Sequence, residues 1–492
     1  MKLSELIYEN EYVSGENASD ISVNDIASDT GEITEGCVFV CIAGMRHNTH
    51  SDISEVVSRG AAAVVCEKGQ IYTHTDKIPV FEVENSRLAL SKMWSRYYKN
   101  PHRQMKMIGV TGTNGKTSVC HYISSILTAS GMSCAVIGTN GAFLDGREIV
   151  CDKSALTMTT PDPKSLYKTL ARMRNMGARY TVMEVSSHSL ALEKVAPIYF
   201  DIGVFTNLSP EHLDFHNSME EYALAKSKLF SHSKCAVVNA DDPYTDKILN
   251  GFSGSVIRCS TASGNAVATG IRLAADKTEY TYISRHLKFK LQTKIAGLFT
   301  VYNTLLACAA VTHLGISAVI TREVMKYMKP PKGRMESVAT GENFSVIIDY
   351  AHTERALASL LHTVKKFSDG RRIVTLFGCG GDRDKSKRAP MGKIACELSD
   401  SVIITSDNSR SEDKGSIISD ILSGITSKEN ITVIEDRKTA IHHAIITARE
   451  GDIILLVGKG HEEYEIDENG VHPFSEREIV RSALKERRKK CE

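Results

Sequence analysis

The run Ile108-Gly109-Val110-Thr111-Gly112-Thr113-Asn114-Gly115-Lys116-Thr117-Ser118 passes from apolar residues through glycines into a helical pattern. Residues of these types in this order suit a polyphosphate. Successive backbone N–H groups and a helix N-terminus would hold phosphate oxygens, Lys116 would reach the outer phosphates, and the Thr117 hydroxyl would face Mg²⁺. The spacing G-x-x-x-x-G-K-[ST] is not met, because Val110 stands where the first glycine belongs. A glycine-rich turn with a surface lysine is the plain alternative, but an apolar strand before and a helix after point to ATP. Glu184 closes the apolar run from Tyr180 to Val185 and precedes Ser186-Ser187-His188. There it could hold Mg²⁺ at the carboxyl edge of a sheet, or simply be a solvated loop residue. The segment Thr206 to His216 brings His212, Asp214 and His216 to the same edge, as metal ligands or as surface residues. Lys226 lies on a helical stretch, Glu220 to Phe230. A cation there would repel Mg²⁺, whereas an uncharged amine could add CO₂ and become an anionic carbamate.

These residues need a frame to converge. A length of 492 residues implies about three domains at roughly 100 to 200 residues each. Short apolar runs at Cys37 to Ile42, Ala61 to Cys66 and Pro79 to Val83 alternate with helical pattern up to Ser86 to Tyr98, a small α/β unit ending near residue 102. Strands at Met107 to Val110, Tyr180 to Val185, Gly203 to Thr206 and Cys235 to Asn239, separated by helices, predict a central parallel sheet. Gly254 to Lys290 reads as an antiparallel excursion, and Val301 to His313 as a helix before the Pro330-Pro331-Lys332-Gly333 boundary. Strands at Ser345 to Ile348, Arg371 to Phe377, Ser401 to Thr405 and Asp452 to Val457 predict a third unit, and Ser475 to Glu478 has the form of a capping box opening a last helix. The expected fold class is therefore α/β in three domains, 1–102, 103–333 and 334–492.

Lys+Arg number 60 against Asp+Glu 59, with 42% hydrophobic residues, which gives no global pull toward nucleic acid or an anionic membrane. The opening residues lack an apolar core behind positive charge, and no apolar run reaches spanning length, so export and membrane insertion are disfavoured. Twelve cysteines without CxxC pairs or metal-ligand spacing fit a reducing cytoplasm.

Taken together, the motifs resemble the Mur ligases, and among them the MurE type that adds the third residue of a muramoyl peptide. GTNGKTS, TTPD at Thr159 to Asp162, MEVSSHSL at Met183 to Leu190 and TNLSPEHLDFH at Thr206 to His216 come in family order, followed by AKSKLF and VYN at Val301 to Asn303. GRME at Gly333 to Glu336, DYAHT at Asp349 to Thr353, GCGGDRDKSKR at Gly378 to Arg388 and GKGHE at Gly458 to Glu462 complete the series. The resemblance implies an N-terminal domain for the UDP end of the substrate, a central P-loop ATPase and a C-terminal Rossmann-like domain that brings the amino acid. It implies that residues Gly112, Thr113, Asn114, Gly115, Lys116, Thr117 and Ser118 bind ATP, with Asn303 at adenine, Arg334 at a phosphate or the nucleotide, and Asp349 at ribose or a hinge. Thr117 and Glu184 would hold one Mg²⁺, His212 and a carbamylated Lys226 the other, while His216 gains no role. Thr30, Thr159, Thr160, Ser186 and Lys194 fall at substrate-facing positions. The implied partners are a UDP-N-acetylmuramoyl dipeptide and a free amino acid, with a monomer expected.

Family members that use meso-diaminopimelate carry a DNPR motif whose arginine pairs with the distal carboxylate. Here the segment is Asp407-Asn408-Ser409-Arg410, with the arginine but not the proline. Arg383, Asp407, Asn408, Arg410, Gly458 and Glu462 stand at the matching positions, and bidentate guanidinium–carboxylate pairing favours diaminopimelate over lysine. Other loops depart from the family pattern. Asp29-Thr30-Gly31 replaces D-S-R, Asn48-Thr49-His50 replaces D-G-H, Glu193-Lys194-Val195 replaces G-R-V, and Glu354 follows Thr353 where proline is usual. A lysine-adding enzyme, or a paralogue joining a different carboxylate and amine, therefore stays open. A nucleotide-dependent switch lacking the second metal site is the remaining alternative class.

Overall fold

The computed structural model describes the chain except residues 16, 45–46, 73–74, 150–157, 275–276, 428 and 492. Its strands fall into three α/β layers and one small hairpin. In the first, Ile26–Ala27, Val38–Val40, Ala63–Glu67 and Val80–Val83 pair in sequence order, all parallel. The helix Ser86–Tyr97 follows, its first turn capped by the Asn85 side chain, which accepts from the Leu88 N–H. Two residues at Ile26–Ala27 were too short a run to register as a strand in the sequence.

The central sheet has 11 strands. Lys106–Thr111 lies at its middle, with Tyr180–Glu184 and then Cys134–Gly138 on one side, and Phe200–Phe205, Ser233–Asn239 and Ser255–Ser260 on the other, all parallel. The chain leaves Lys106–Thr111 toward one side and later returns to the other. A crevice therefore opens at the carboxyl end of this strand, where α/β sheets bind ligands. The expected antiparallel excursion is present as Ala266–Leu273, Thr278–Ser284 and Lys288–Thr293. The third sheet orders Glu336–Val338, Ser345–Asp349, Ile453–Val457, Ile373–Phe377, Ser401–Ile404 and Ile431–Val433, with only the first strand antiparallel. The hairpin Tyr464–Asp467 and Gly470–Pro473 was not foreseen.

The three layers join unequally. The core of the first sheet runs without a break into one face of the central sheet: Met93 and Trp94 share a buried cluster with Leu166, Tyr167 and Phe200. The third sheet has a core on each of its two faces, one of them joined by Ala296 of the central unit. It meets the central sheet mostly across a cleft of about 2040 Å³ whose described lining runs from Thr117 to Pro473. Among the described residues no helix is long and apolar enough to cross a membrane.

Folding also brings together residues whose sequence spacing suggested no cluster. Cys41, His50 and Cys66 are buried within 4.8 Å of one another. The ring nitrogens of His50 are engaged, Nδ1 at 2.7 Å from Asn48 Oδ1 and Nε2 accepting from the Glu67 N–H at 2.9 Å. This imidazole closes the Asn48 loop onto the sheet.

Candidate active site

Between Lys106–Thr111 and the helix Lys116–Ala129 the loop turns through Gly112 and Gly115 at φ 145° and 88°. Neither position admits a side chain. A Cβ would fall 1.9 Å from Thr206 Oγ1 at Gly112 and 2.4 Å from Asn303 Oδ1 at Gly115. The loop is pinned from below, with Asn207 Oδ1 accepting from the Asn114 N–H at 3.0 Å and Thr206 Oγ1 donating to the Asn114 carbonyl at 2.6 Å. The ammonium of Lys116 donates to the Gly112 and Thr113 carbonyls at 2.9 Å each. It thus lies folded on its own loop, and Ser118 follows in the first turn of the helix.

Glu184, 2% exposed, sits where the sequence placed it. Its Oε1 accepts from Thr117 Oγ1 at 3.0 Å and the Thr139 N–H at 2.9 Å, and its Oε2 from Thr139 Oγ1 at 3.1 Å. Thr139 had no motif to announce it; its position after the strand Cys134–Gly138, beside the strand of Glu184, was the only signal. Thr160 Oγ1 donates to the Glu184 carbonyl at 2.9 Å and accepts from the Ser186 N–H at 3.1 Å, and Thr159 Oγ1 accepts from Thr139 at 3.2 Å. Lys194 pairs with Asp162 at 2.6 Å on the same wall.

Lys226 is 1% exposed on the helix Met219–Ser231, whose first turn is capped by Ser218. Burial, reinforced by the nearby positive Lys116, drives its amine far below the ordinary lysine range. That favours the uncharged amine a carbamate requires. Its Nζ lies 4.5 Å from the ring centroid of Tyr222, whose hydroxyl is 3.2 Å from Thr113 Oγ1 of the phosphate loop. His212 stands with φ 58° at the cleft wall, its ring 6.3 Å from that of Tyr222. Desolvation there lowers its imidazole to about 4 against the opposing pull of Glu211, leaving a neutral ring. His216 is buried: Nε2 lies 2.8 Å from Ser187 Oγ and the ring stacks on Tyr222. The structure thus gives His216 a role the sequence did not, tying the Ser186-Ser187-His188 loop to the helix of Lys226. The side chain of Asp214 lies outside the described residues.

Across the cleft, the carboxyl ends of the third sheet carry the second set. Gly458 follows Ile453–Val457 at φ 114°, where a Cβ would lie 2.8 Å from Asp407 Oδ2. Asn408 donates from Nδ2 to Glu462 Oε2 at 2.8 Å. Arg410, at φ 54°, donates to the Gly381 carbonyl at 2.8 Å. Burial and the neighbouring Arg383 guanidinium lower Arg410, so two cations crowd one spot and invite an anion. Burial would raise the Asp407 carboxyl, but Lys459 and Arg437 outweigh it and hold it low. Glu462 is raised by burial and by Asp407. Arg383, Asp407, Asn408, Arg410, Gly458 and Glu462 all line the cleft with Thr117, Glu184, His212, Thr159, Thr160, Ser186 and Lys194.

Of the expected nucleotide residues, Thr117 is in that lining, while Gly112 to Lys116, Ser118, Asn303, Asp349 and Arg334 stand outside it. Asn303 is buried beneath Gly115 on the helix Leu298–His313. Asp349 accepts from the Met335 and Ala351 N–H groups at 2.7 and 2.8 Å, so its two oxygens close a backbone turn. The Arg334 guanidinium stacks 4.7 Å over the Tyr350 ring, its buried Nε without a hydrogen-bond partner among the described residues. Thr30 belongs to the first layer, its carbonyl accepting from Arg59 at 2.9 Å. A bridge the sequence did not signal spans the cleft: His352 Nε2 lies 3.1 Å from Glu211 Oε1. Burial opposes ionisation of Glu211, but His352 prevails and holds its carboxyl below the usual range.

A glycine loop with one buried lysine beside it at one parallel-sheet edge, facing a charged pocket at another, makes this an α/β protein with two differently built crevices. Residues 110–311 match the Mur ligase middle domain and residues 333–460 the Mur ligase glutamate ligase domain. The chain belongs to the Mur ligase family, and the resemblance read from its motifs is borne out. It is 38% identical over 490 residues to the UDP-N-acetylmuramoyl-L-alanyl-D-glutamate--2,6-diaminopimelate ligase of Clostridioides difficile (strain 630), covering 98% of this chain and 99% of that one. With the ligase of the same description from Caldanaerobacter subterraneus subsp. tengcongensis it shares 40% identity over 473 residues, 95% and 96% of the two chains. A solved structure of a UDP-N-acetylmuramoyl-L-alanyl-D-glutamate--2,6-diaminopimelate ligase superposes with a TM-score of 0.68 at 26% identity, covering 99% of each chain. Thermotoga maritima MurF ligase in complex with ADP shares the fold, with a TM-score of 0.61 at 18% identity over 96% of this chain and 100% of that one.

Proposed function

We propose that this Mur ligase adds meso-2,6-diaminopimelate to the D-glutamate side chain of UDP-N-acetylmuramoyl-L-alanyl-D-glutamate, driving amide formation with ATP. The observation that carries the reading is the single cleft lined on one side by Thr117 and Glu184 and on the other by Arg383, Arg410 and Glu462. Relatives that bear this activity in their names align over nearly the whole chain.

The substrate carboxylate attacks the γ-phosphate, the bond to ADP breaks, and an acyl phosphate forms. The amine of the incoming amino acid, having lost a proton, attacks the acyl carbon, and the tetrahedral intermediate expels phosphate. In the first step two anions must approach, so positioning and electrostatics dominate. Gly112 to Ser118 cradle the phosphates, and the ammonium of Lys116 turns from its own loop carbonyls to them. Asn303, Arg334 and Asp349 serve the nucleotide, Asn303 and Asp349 through the loop and turn they hold. Thr30, Thr159, Thr160, Ser186 and Lys194 face the UDP-linked substrate. Arg383 and Arg410 take the distal carboxylate of diaminopimelate, with Asp407, Asn408, Gly458 and Glu462 shaping the rest of the pocket. Movement of the third domain over the cleft would exclude water from the acyl phosphate.

The Thr117 hydroxyl, the Glu184 carboxylate and a carbamate on Lys226 fit Mg²⁺, a hard cation that prefers oxygen ligands, with His212 adding one nitrogen donor. Thr117 and Glu184 would hold one ion, and His212 with a carbamylated Lys226 a second. Bound there, such ions would offset phosphate charge. The uncharged Lys226 amine can attack CO₂, forming an N–C bond and releasing a proton to leave an anionic carbamate. We further place the domain boundaries at 1–102, 103–333 and 334–492 and the protein in the cytoplasm as a monomer, without nucleic-acid or membrane partners.

The deciding experiment is ADP release with UDP-muramoyl dipeptide and, in turn, diaminopimelate, lysine, ornithine and alanine. Release with diaminopimelate alone supports the reading, and preference for lysine transfers the protein to the lysine-adding type. ATP hydrolysis indifferent to every acceptor would refute ligation.

A further inference from the structure

Lys459, in the loop after Ile453–Val457, is 0% exposed. It therefore cannot touch the acceptor, yet its ammonium lies at the centre of the acceptor pocket's framework. Nζ donates to Asn408 Oδ1 at 2.7 Å and to the Tyr464 carbonyl at 2.9 Å, with Asp407 Oδ1 at 3.6 Å and Glu462 Oε2 at 3.9 Å. Asn408 Oδ1 also accepts the Ile466 N–H at 3.0 Å. With that oxygen doubly engaged, the carboxamide can take only one orientation, and its Nδ2 faces Glu462. Without the ammonium, the Asp407 and Glu462 carboxylates would face each other uncompensated, and Asn408 Oδ1 would keep the Ile466 N–H but lose its charged donor. The Tyr464–Asp467 strand would also lose one of its ties to the Asn408 loop, although the Arg410 N–H still donates to the Ile466 carbonyl at 3.0 Å.

Building on the acceptor pocket proposed above, we infer that Lys459 is a positioning residue for the incoming amino acid. Its buried charge fixes the Asn408 carboxamide and holds Asp407 and Glu462 in register beneath the acceptor. It takes no part in binding ATP or the UDP-linked substrate: its ammonium's partners, Asn408, Tyr464, Asp407 and Glu462, are none of the residues assigned to either.

The test uses full-length Lys459→Met and Lys459→Gln, assayed with whichever amino acid the wild type ligates. That order separates two failures: a wild type that prefers lysine removes diaminopimelate but leaves the role of Lys459 open to the same measurement. Loss of a charged hydrogen bond predicts an acceptor KM about 10- to 100-fold higher in Lys459→Met. Lys459→Gln, which can still donate to Asn408 Oδ1, should rise less, and the KM values for ATP and UDP-muramoyl dipeptide should stay within about twofold. Equal rises in all three KM values, or a lower kcat at unchanged acceptor KM, would overturn the inference. Failure of both variants to fold would assign Lys459 to the core instead and equally overturn it.

Discussion

At the central sheet's carboxyl edge the proposed ligand would be met by backbone: Gly112 and Gly115 turn the chain, and Asn207 and Thr206 hold it from below. At the third sheet's edge it would be met by side chains standing on buried cations, Lys459 under Asn408 and Arg437 beneath the strand ends. Both edges lie where neighbouring parallel connections diverge, so the folding rule that opens each crevice is the same. The difference is in what specifies the ligand. A phosphate needs only N–H groups and positive charge in a tight curve, which glycine spacing encodes locally. A zwitterionic amino acid needs charges of both signs at fixed places, and these are supplied by residues far apart in the chain.

The comparison breaks most visibly at Lys116. Lys116→Met should leave the glycine loop's shape intact and remove its mobile charge, lowering kcat by about 10³-fold, on the scale of a lost transition-state donor. Acceptor KM should not change. Single-turnover ADP formation checks this, and a loss below tenfold would mean the backbone alone carries the phosphates.

At the other edge the largest expected effect is on folding. Arg437, 0% exposed, donates to the Ser406 and Val457 carbonyls and pairs with Glu476, 1% exposed. Arg437→Met leaves Glu476 buried without its partner, a loss of about 3–5 kcal/mol. Urea denaturation should show the third domain unfolding at lower denaturant while the central transition stays in place. A single unshifted transition would mean that the Arg437–Glu476 pair contributes little to holding this edge together.

The same contrast decides what could be read in the sequence. Strand–turn–helix punctuation and apolar runs were enough for the central strands of the three sheets and the phosphate loop, though not for Ile26–Ala27, Cys134–Gly138 or several outer strands, because a glycine at positive φ and a run of β-branched residues act locally. Asn408, Arg410 and Glu462 were found only by resemblance, and Lys459 and Arg437 not at all. A lysine in a GKGHE run looks the same whether it is solvated or buried under an asparagine 51 residues away. Thr139 and the Glu211–His352 bridge were invisible for the same reason: each depends on strand order, which periodicity does not give. Strand register also explains how Cys41 and Cys66, 25 residues apart, come to lie 3.8 Å sulfur to sulfur.

Arg410 sharpens the acceptor half. Its guanidinium already donates to the Gly381 and Asn408 carbonyls, so part of its donor fork is committed to shape and part is left for a carboxylate. Arg410→Ala should raise the KM for diaminopimelate about 30-fold, the scale of one charged pair, and that for lysine much less. Equal effects on the two amino acids would show the residue to be a loop brace.

The smallest effect tests whether the central edge also depends on side chains. Thr139→Val removes one of three hydrogen bonds to the Glu184 carboxylate and leaves the Thr139 N–H and the Thr117 hydroxyl in place. The carboxylate should lose orientation without losing its position, so the Mg²⁺ concentration giving half-maximal rate should rise by about tenfold, the lower range for a supporting hydrogen bond. At saturating Mg²⁺ the rate should approach that of the wild type. A fall in kcat that Mg²⁺ does not restore would place Thr139 among the groups that touch the reacting phosphate, making the two edges more alike than their sequences suggest.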